Sequence, residues 1–291
     1  MISGNKKRFN KITLVISVII LISVLALSGC VENNSDGLKI VVVGRDSASG
    51  TREFFHENVM DEEDFIPTML EKNSNGAVYQ TVSQTEGAIG FVGLGYIDEG
   101  VKALKVNGVT PSVSTVDSGD YPIARNLNMY TDGEPSGVIK EFFNYLDSTE
   151  GQAIVEEEGF VPKSNTQAYS PTEGFSGTIE IEGSTTVLPI AQAAAEAFMK
   201  VQTDITVTVN GGGSSVGIQS VGEGTADIGM ASREIKSSEQ SKYPNLVTHI
   251  VCSDGIVMIV HPSNSWVDDL TVDQIKSIYK GTYTNWNEIS S

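Results

Sequence analysis

Three times in this chain a short apolar run rich in β-branched residues ends in a corner of Gly, Ser and Thr that opens straight into a helical pattern. Residues 38–43 lead into Arg45-Asp46-Ser47-Ala48-Ser49-Gly50-Thr51. Residues 178–182 lead into Gly183-Ser184-Thr185-Thr186, with Pro189 in the helix that follows. Residues 205–209 lead into Gly211-Gly212-Gly213-Ser214-Ser215. Strands that alternate with helices predict an α/β fold with largely parallel sheets. The same reading places helices over 51–59, 77–84, 138–146, 151–157, 188–200, 272–279 and from 216, and strands over 88–92, 102–106, 226–230 and around 249–260. Residues 163–176, rich in Ser, Thr, Pro and Gly with no apolar period, read as a linker.

The corners carry a definite chemistry. The first turn of a helix has unpaired N–H donors and the positive end of the macrodipole, so an anion placed there gains several hydrogen bonds. Serine and threonine hydroxyls add donors, and Arg45 adds a charge-assisted grip on an oxyanion. The plainer alternative at each corner is an N-cap. A second motif competes: Gly213-Ser214-Ser215-Val216-Gly217 matches the G-x-S-x-G nucleophile elbow, and Asp254 and His261 follow in hydrolase order. The pentapeptide is built of common residues and His261 precedes Pro262 in a loop-like stretch, so a structural or surface histidine is the reading taken and serine hydrolase the rival. Metal-ligand spacing, a phosphate-cradling Walker loop and a dinucleotide fingerprint are all missing from the sequence, so neither a metal nor a cofactor is expected.

Charge narrows the partners. Thirty-seven acidic residues against nineteen basic ones give a formal charge of −18, the opposite of what a nucleic-acid partner requires. An anion site here must rely on local donors. Four of the basic residues, Lys6, Lys7, Arg8 and Lys11, precede an uncharged run over 12–29 that ends in Leu27-Ser28-Gly29-Cys30. That ending looks like a lipobox, with Cys30 as the lipidation site, 1–29 as a signal peptide and 30–37 as a tether. The alternative is an uncleaved membrane anchor. Either way the remaining chain lies outside the cytoplasm. The other cysteine, Cys252, sits in an apolar stretch and reads as a small buried hydrophobe.

Taken together, several stretches resemble the PstS-type phosphate-binding proteins of phosphate ABC transporters, members of the type II periplasmic binding-protein superfamily. They are Gly183-Ser184-Thr185-Thr186-Val187-Leu188-Pro189, Gly213-Ser214-Ser215, Ala226-Asp227-Ile228-Gly229-Met230-Ala231-Ser232-Arg233, Leu270-Thr271 through Thr284-Asn285-Trp286, Val43-Gly44-Arg45-Asp46-Ser47-Ala48-Ser49-Gly50-Thr51-Arg52 and Gly87-Ala88-Ile89-Gly90-Phe91-Val92. Their order is exchanged: in the family the stretch like 178–289 comes first and the stretch like 38–162 follows. This looks like a circular permutation; a truncated tandem gene is the other reading.

The resemblance implies a two-lobed α/β clamp, with one continuous lobe over 121–255 and the other built from 38–120 plus 256–291. It implies inorganic phosphate as ligand, ABC permease subunits as partners, attachment to the membrane through the lipid anchor, and no enzymatic activity. Carried over position by position, Thr185, Thr186, Ser214, Arg45, Ser49, Gly50 and Thr51 match the family's phosphate contacts, with Ser215, Ser232 and Asp46 in a second tier. One position departs. Some relatives place an aspartate where this chain has Arg233, and that carboxylate accepts the proton of hydrogen phosphate. Asp46 and Asp254 are the candidate substitutes. Another tetrahedral oxyanion, or a phosphate-sensing surface protein, remain the alternatives.

Overall fold

The computed structural model describes residues 37–289. The expected signal peptide, Cys30 and all of the tether but Gly37 lie outside the described residues.

The first strand, β1 (Val41–Arg45), runs into helix α1 (Gly50–Asn58). Strand β2 (Leu70–Lys72), helix α2 (Asn75–Ser83) and strand β3 (Ala88–Gly93) follow, then a single 3₁₀ turn at Leu94–Tyr96. The strand expected over 102–106 is two short pieces, β4 (Lys102–Ala103) and β5 (Lys105–Val106). They are split because they serve different partners: β4 pairs with β10 (Leu246–Val260) and β5 with β11 (Asp269–Leu270). Helix α3 (Val113–Asp117) precedes the long strand β6 (Ala124–Asp132). Helices α4 (Gly137–Leu146) and α5 (Thr149–Glu157) lead to the linker. Beyond it come β7 (Gly177–Gly183), α6 (Leu188–Val201), β8 (Ile205–Gly211), α7 (Ser214–Gly222), β9 (Ile228–Ala231) and α8 (Ser237–Lys242). Helix α9 (Val272–Lys280) follows β11.

The principal strands hydrogen-bond in the order β2-β1-β3-β10-β6-β9-β7-β8. The outer pairings are parallel, as expected: β1 with β2 and β3, and β7 with β8 and β9. The centre corrects the expectation of largely parallel sheets. Strand β10 is antiparallel to both β3 and β6, and β6 is antiparallel to β9. Residues Leu246–Gly255 of β10 pair with β6, and Ile256–Val260 pair with β3. One continuous strand thus passes from one half of the molecule to the other.

Two principal hydrophobic cores flank that strand. The first gathers Val42, Phe55, Phe91, Tyr121, Ile123, Met258, Tyr279 and Trp286, with the Phe55 and Phe91 rings stacked at 4.3 Å. The second gathers Leu127, Phe142, Phe198, Ile179, Ile190 and Cys252, with a satellite around Tyr130 and Ile218. These cores define two α/β domains, called lobes below. Burial pushes the Cys252 thiol far up, as befits a packed hydrophobe. In the first lobe residues near the two described ends run side by side. Ile40 N–H donates to Thr284 O at 2.8 Å, Trp286 N–H to Leu38 O at 3.0 Å, and the Trp286 indole to Gly87 O at 3.1 Å.

The linker is tied down by two carboxylates, Glu150, which accepts from Tyr169 N–H at 2.8 Å, and Glu141. Glu141 Oε1 accepts from Tyr169 Oη (2.7 Å), Thr172 N–H (2.8 Å) and Gln202 Nε2 (3.2 Å). Burial alone would raise the Glu141 carboxyl, but hydrogen bonds from Thr172, Tyr169 and Asn144 outweigh it and hold it below the ordinary value. A group depressed in the folded state contributes stability above its unfolded value and loses it as pH falls through the folded one. Glu141→Gln should therefore cost about 1–3 kcal/mol in urea unfolding at neutral pH. The gap from the parent protein should narrow as pH drops below the ordinary carboxylate range.

Candidate functional site

Each corner is held in place by local chemistry that the residue types dictate. At the end of β1, Arg45 is 1% exposed. Its Nε donates to Lys72 O at 3.2 Å and its Nη2 to Asn73 O at 3.1 Å. Ser49 is the N-cap of α1, its Oγ accepting from Arg52 N–H at 3.3 Å, so the capping alternative holds for that hydroxyl. At the second corner Ser184 Oγ accepts from Thr186 N–H at 3.2 Å, leaving Thr185 and Thr186 buried before α6. At the third, Gly213 has φ +100°, a backbone that other residues rarely adopt, and Ser214 opens α7 fully buried.

The three corners converge. Thr51 Oγ1 lies 3.1 Å from Thr186 Oγ1 and 3.4 Å from Ser232 Oγ, although 135 and 181 residues separate them in sequence. Ser214 Oγ lies 3.4 Å from Ser232 Oγ and accepts from Ser232 N–H at 3.0 Å. Main chains approach as closely as side chains do: Ser215 N–H donates to Ala48 O at 3.2 Å. This contact requires Gly50, because a Cβ there would stand 2.2 Å from Ser214 Oγ. Gly213 is equally constrained, its hypothetical Cβ falling 2.6 Å from Ala48 O.

Sequence reasoning missed Asn75, Tyr96 and Arg125. Asn75, at the start of α2, is fully buried and donates through Nδ2 to Thr186 Oγ1 (2.9 Å) and Thr185 Oγ1 (3.3 Å). Its signal was the Ser74-Asn75-Gly76 helix start, which reads as an ordinary cap. Tyr96 Oη donates to Thr185 O at 2.5 Å, and burial pushes this phenol up to about 12. Arg125 lies on β6, a strand the sequence reading did not place. Its Nε and Nη2 reach Asp254 Oδ2 at 3.0 and 2.8 Å, and its Nη1 reaches Ser232 O at 2.9 Å. Asp254 Oδ1 accepts from Leu94 N–H at 2.9 Å. Burial raises the Asp254 carboxyl despite Arg125 and these hydrogen bonds.

The electrostatics follow from this inventory. Burial, opposed by Asp46 and reinforced by repulsion from Arg125, brings Arg45 down to about 10, so it stays protonated at neutral pH. Two guanidiniums are thus desolvated beside hydroxyls and helix starts, and Asp254 neutralises one of them. Asp46 offsets the other through its charge without bonding it, and an oxyanion would add charge-assisted hydrogen bonds. Asp46 keeps a buried Oδ1 with no hydrogen-bond partner, an acceptor awaiting a donor.

Two second-tier positions divide. Ser232 joins the hydroxyl cluster, whereas the Ser215 Oγ accepts from Arg233 Nη2 at 3.2 Å. Arg233 itself is turned away to Glu53 and Glu239. The hydrolase constellation is not assembled: Ser215 is held by Arg233, Asp254 by Arg125, and His261 Nδ1 bonds Ser263 Oγ at 2.7 Å.

A family model described as a PBP superfamily domain matches residues 24–150 and 168–291. The phosphate-binding protein PstS 2 of Streptococcus agalactiae is 36% identical over 278 residues, covering 91% of this chain and 93% of the relative. The chain belongs to the PstS family. The PstS 2 protein of Streptococcus pneumoniae is 32% identical over 259 residues, covering 86% of this chain and 87% of its own length. A crystal structure of a phosphate-binding protein of a phosphate ABC transporter, also from Streptococcus pneumoniae, superposes with a TM-score of 0.70 at 31% identity. That match covers 87% of this chain and all of the other. These relatives are named for binding phosphate, and the one of known structure belongs to a phosphate ABC transporter. Among the described residues no helix is long and apolar enough to cross a membrane.

Proposed function

We propose that this chain captures inorganic phosphate between its two lobes and delivers it to ABC permease subunits, while a lipid on Cys30 holds it at the outer face of the membrane. The observation that carries the reading is the meeting of Thr51, Thr185, Thr186, Ser214 and Ser232, with Arg125 bonded to Ser232 O and Arg45 buried within electrostatic reach of Arg125. Thr185, Thr186 and Ser214 would donate from one lobe. Arg45, Ser49, Gly50 and Thr51 would donate from the other, through the guanidinium, hydroxyls and the start of α1. Family membership supports phosphate as the anion, since the relatives carry that name.

Discrimination from sulfate needs a carboxylate that accepts from a protonated oxyanion and repels one that has no proton. Arg233 does not serve, and its ion pairs turn it elsewhere. The orphaned Oδ1 of Asp46 favours that residue, and Asp254 is the second candidate.

The exchanged order is best read as a circular permutation. The pairing of 38–40 with 284–286, the match of the family model in two stretches, and the anchoring of the linker by Glu141 support it. The lobes would then comprise 38–120 plus 256–291, and 121–255, with Tyr121 and Ile123 packing across that boundary into the first core.

Calorimetric titration with phosphate, sulfate and arsenate tests the reading. Phosphate should bind tightly to the natural chain and to one re-ordered to run 177–289 and then 38–162. Arg45→Ala and Thr185→Val should each weaken it by roughly 10–100-fold, the worth of a hydrogen bond to a charged group. Absence of heat with every oxyanion would overturn the site, and a preference for sulfate would overturn the ligand. Cys30→Ser should release the protein from membranes; unchanged membrane attachment would count against the lipid anchor.

A further inference from the structure

A clamp that closes on a ligand must also stay shut while the ligand is bound. The hydroxyl cluster spans the seam between the lobes, and so does one set of charges outside it. Glu53, in the first turn of α1, belongs to the lobe of the first core. Its Oε2 lies 2.6 Å from Arg233 Nε, an ion pair without hydrogen-bond alignment, and its Oε1 lies 2.5 Å from Lys236 Nζ. Both cations belong to the other lobe, on the segment that joins β9 to α8.

The two cations are organised without help from Glu53. Arg233 donates to both oxygens of Glu239 at 2.8 Å, and Glu239 also accepts from Lys236 N–H at 3.0 Å. Arg233 and Lys236 thus share Glu239 on one side of the seam, with Glu234 beside them, and Glu53 brings a further carboxylate to both cations from across it. Exposure is graded: the side chains of Arg233, Glu53 and Lys236 are 3%, 18% and 42% accessible. The arginine pair is shielded, whereas the lysine pair faces an open cavity of about 440 Å³ lined by Ser47, Ser49, Arg52, Glu53, His56 and Lys236, among others. Opening the lobes would strip Glu53 of both partners at once.

We infer that Glu53 is a positioning residue that clasps the closed lobes through Arg233 and Lys236 and slows ligand release. It rests on the reading of the seam as the ligand site. Arg233 also ties Ser215 to the same network.

The test is the release of radiolabelled inorganic phosphate from the full-length protein, chased with unlabelled phosphate. Glu53→Gln should raise the release rate about tenfold, as loss of one partner of a shielded charge pair does, with the association rate nearly unchanged. Raising salt from about 0.05 M to about 0.5 M should speed release from the parent protein and leave the variant almost unaffected. Glu53→Asp should recover part of the effect, and Glu53→Gln combined with Lys236→Gln should be less than additive. A parent-like release rate in Glu53→Gln overturns the clasp. A ligand-independent readout keeps the two claims apart: spin labels at Glu57→Cys and Lys200→Cys should report longer interlobe distances in Glu53→Gln than in the parent. Identical distributions overturn the clasp even if phosphate proves to be the wrong ligand.

Discussion

Burying a guanidinium is costly unless its charge is met, and this molecule buries three of them where its lobes touch: Arg45, Arg125 and Arg233, the last met by Glu53 and Glu239. Asp254 meets Arg125 through two hydrogen bonds. Arg45 is held by the main-chain carbonyls of Lys72 and Asn73, which orient it without neutralising it. The surrounding hydroxyls, amides and helix starts are all suited to an anion. The donors are local, since the chain as a whole carries a formal charge of −18. The acidic surface and the donor-lined seam are compatible because short-range donors act over a few ångströms, whereas surface charge is screened within about 10 Å.

That geometry depends on backbones coming closer than side chains would allow. Gly50 and Gly213 stand where any Cβ would collide with Ser214 Oγ or Ala48 O. The helices α1 and α7 can therefore present their first turns to one another across the seam. Strand β10 supplies the other half of the design. It pairs with β6 in one lobe and β3 in the other, and Asp254 sits on it just before the crossing. Closure and the electrostatics of the seam are thus linked through one strand.

Much of this was legible from residue types alone. The corners at 45–51, 183–186 and 213–215 announced helix starts with extra donors, because glycine, serine and threonine after a β-branched run have few other uses. Strand β6 was not legible. It is buried on both faces as an inner strand, and its buried Arg125, Asn128 and Thr131 interrupt the apolar signal that a period of two would need. Arg125 was hidden with it. Strand β2, three residues long at the edge, has too short a pattern to register. The antiparallel centre was equally invisible, since alternating strands and helices say nothing about a strand that runs backwards between two parallel sets. The convergence of Thr51 with Thr186 across 135 residues is a property of the tertiary fold.

The central claim is that these helix starts and Arg45 hold a single oxyanion. A high-resolution crystal structure grown with phosphate tests it most directly. The account predicts one tetrahedral anion between the lobes, within about 2.6–3.2 Å of donors on Thr185 or Thr186, Ser214, Thr51 and the Arg45 guanidinium. An anion bound elsewhere on the molecule, or closed lobes with no anion between them at saturating phosphate, would contradict it.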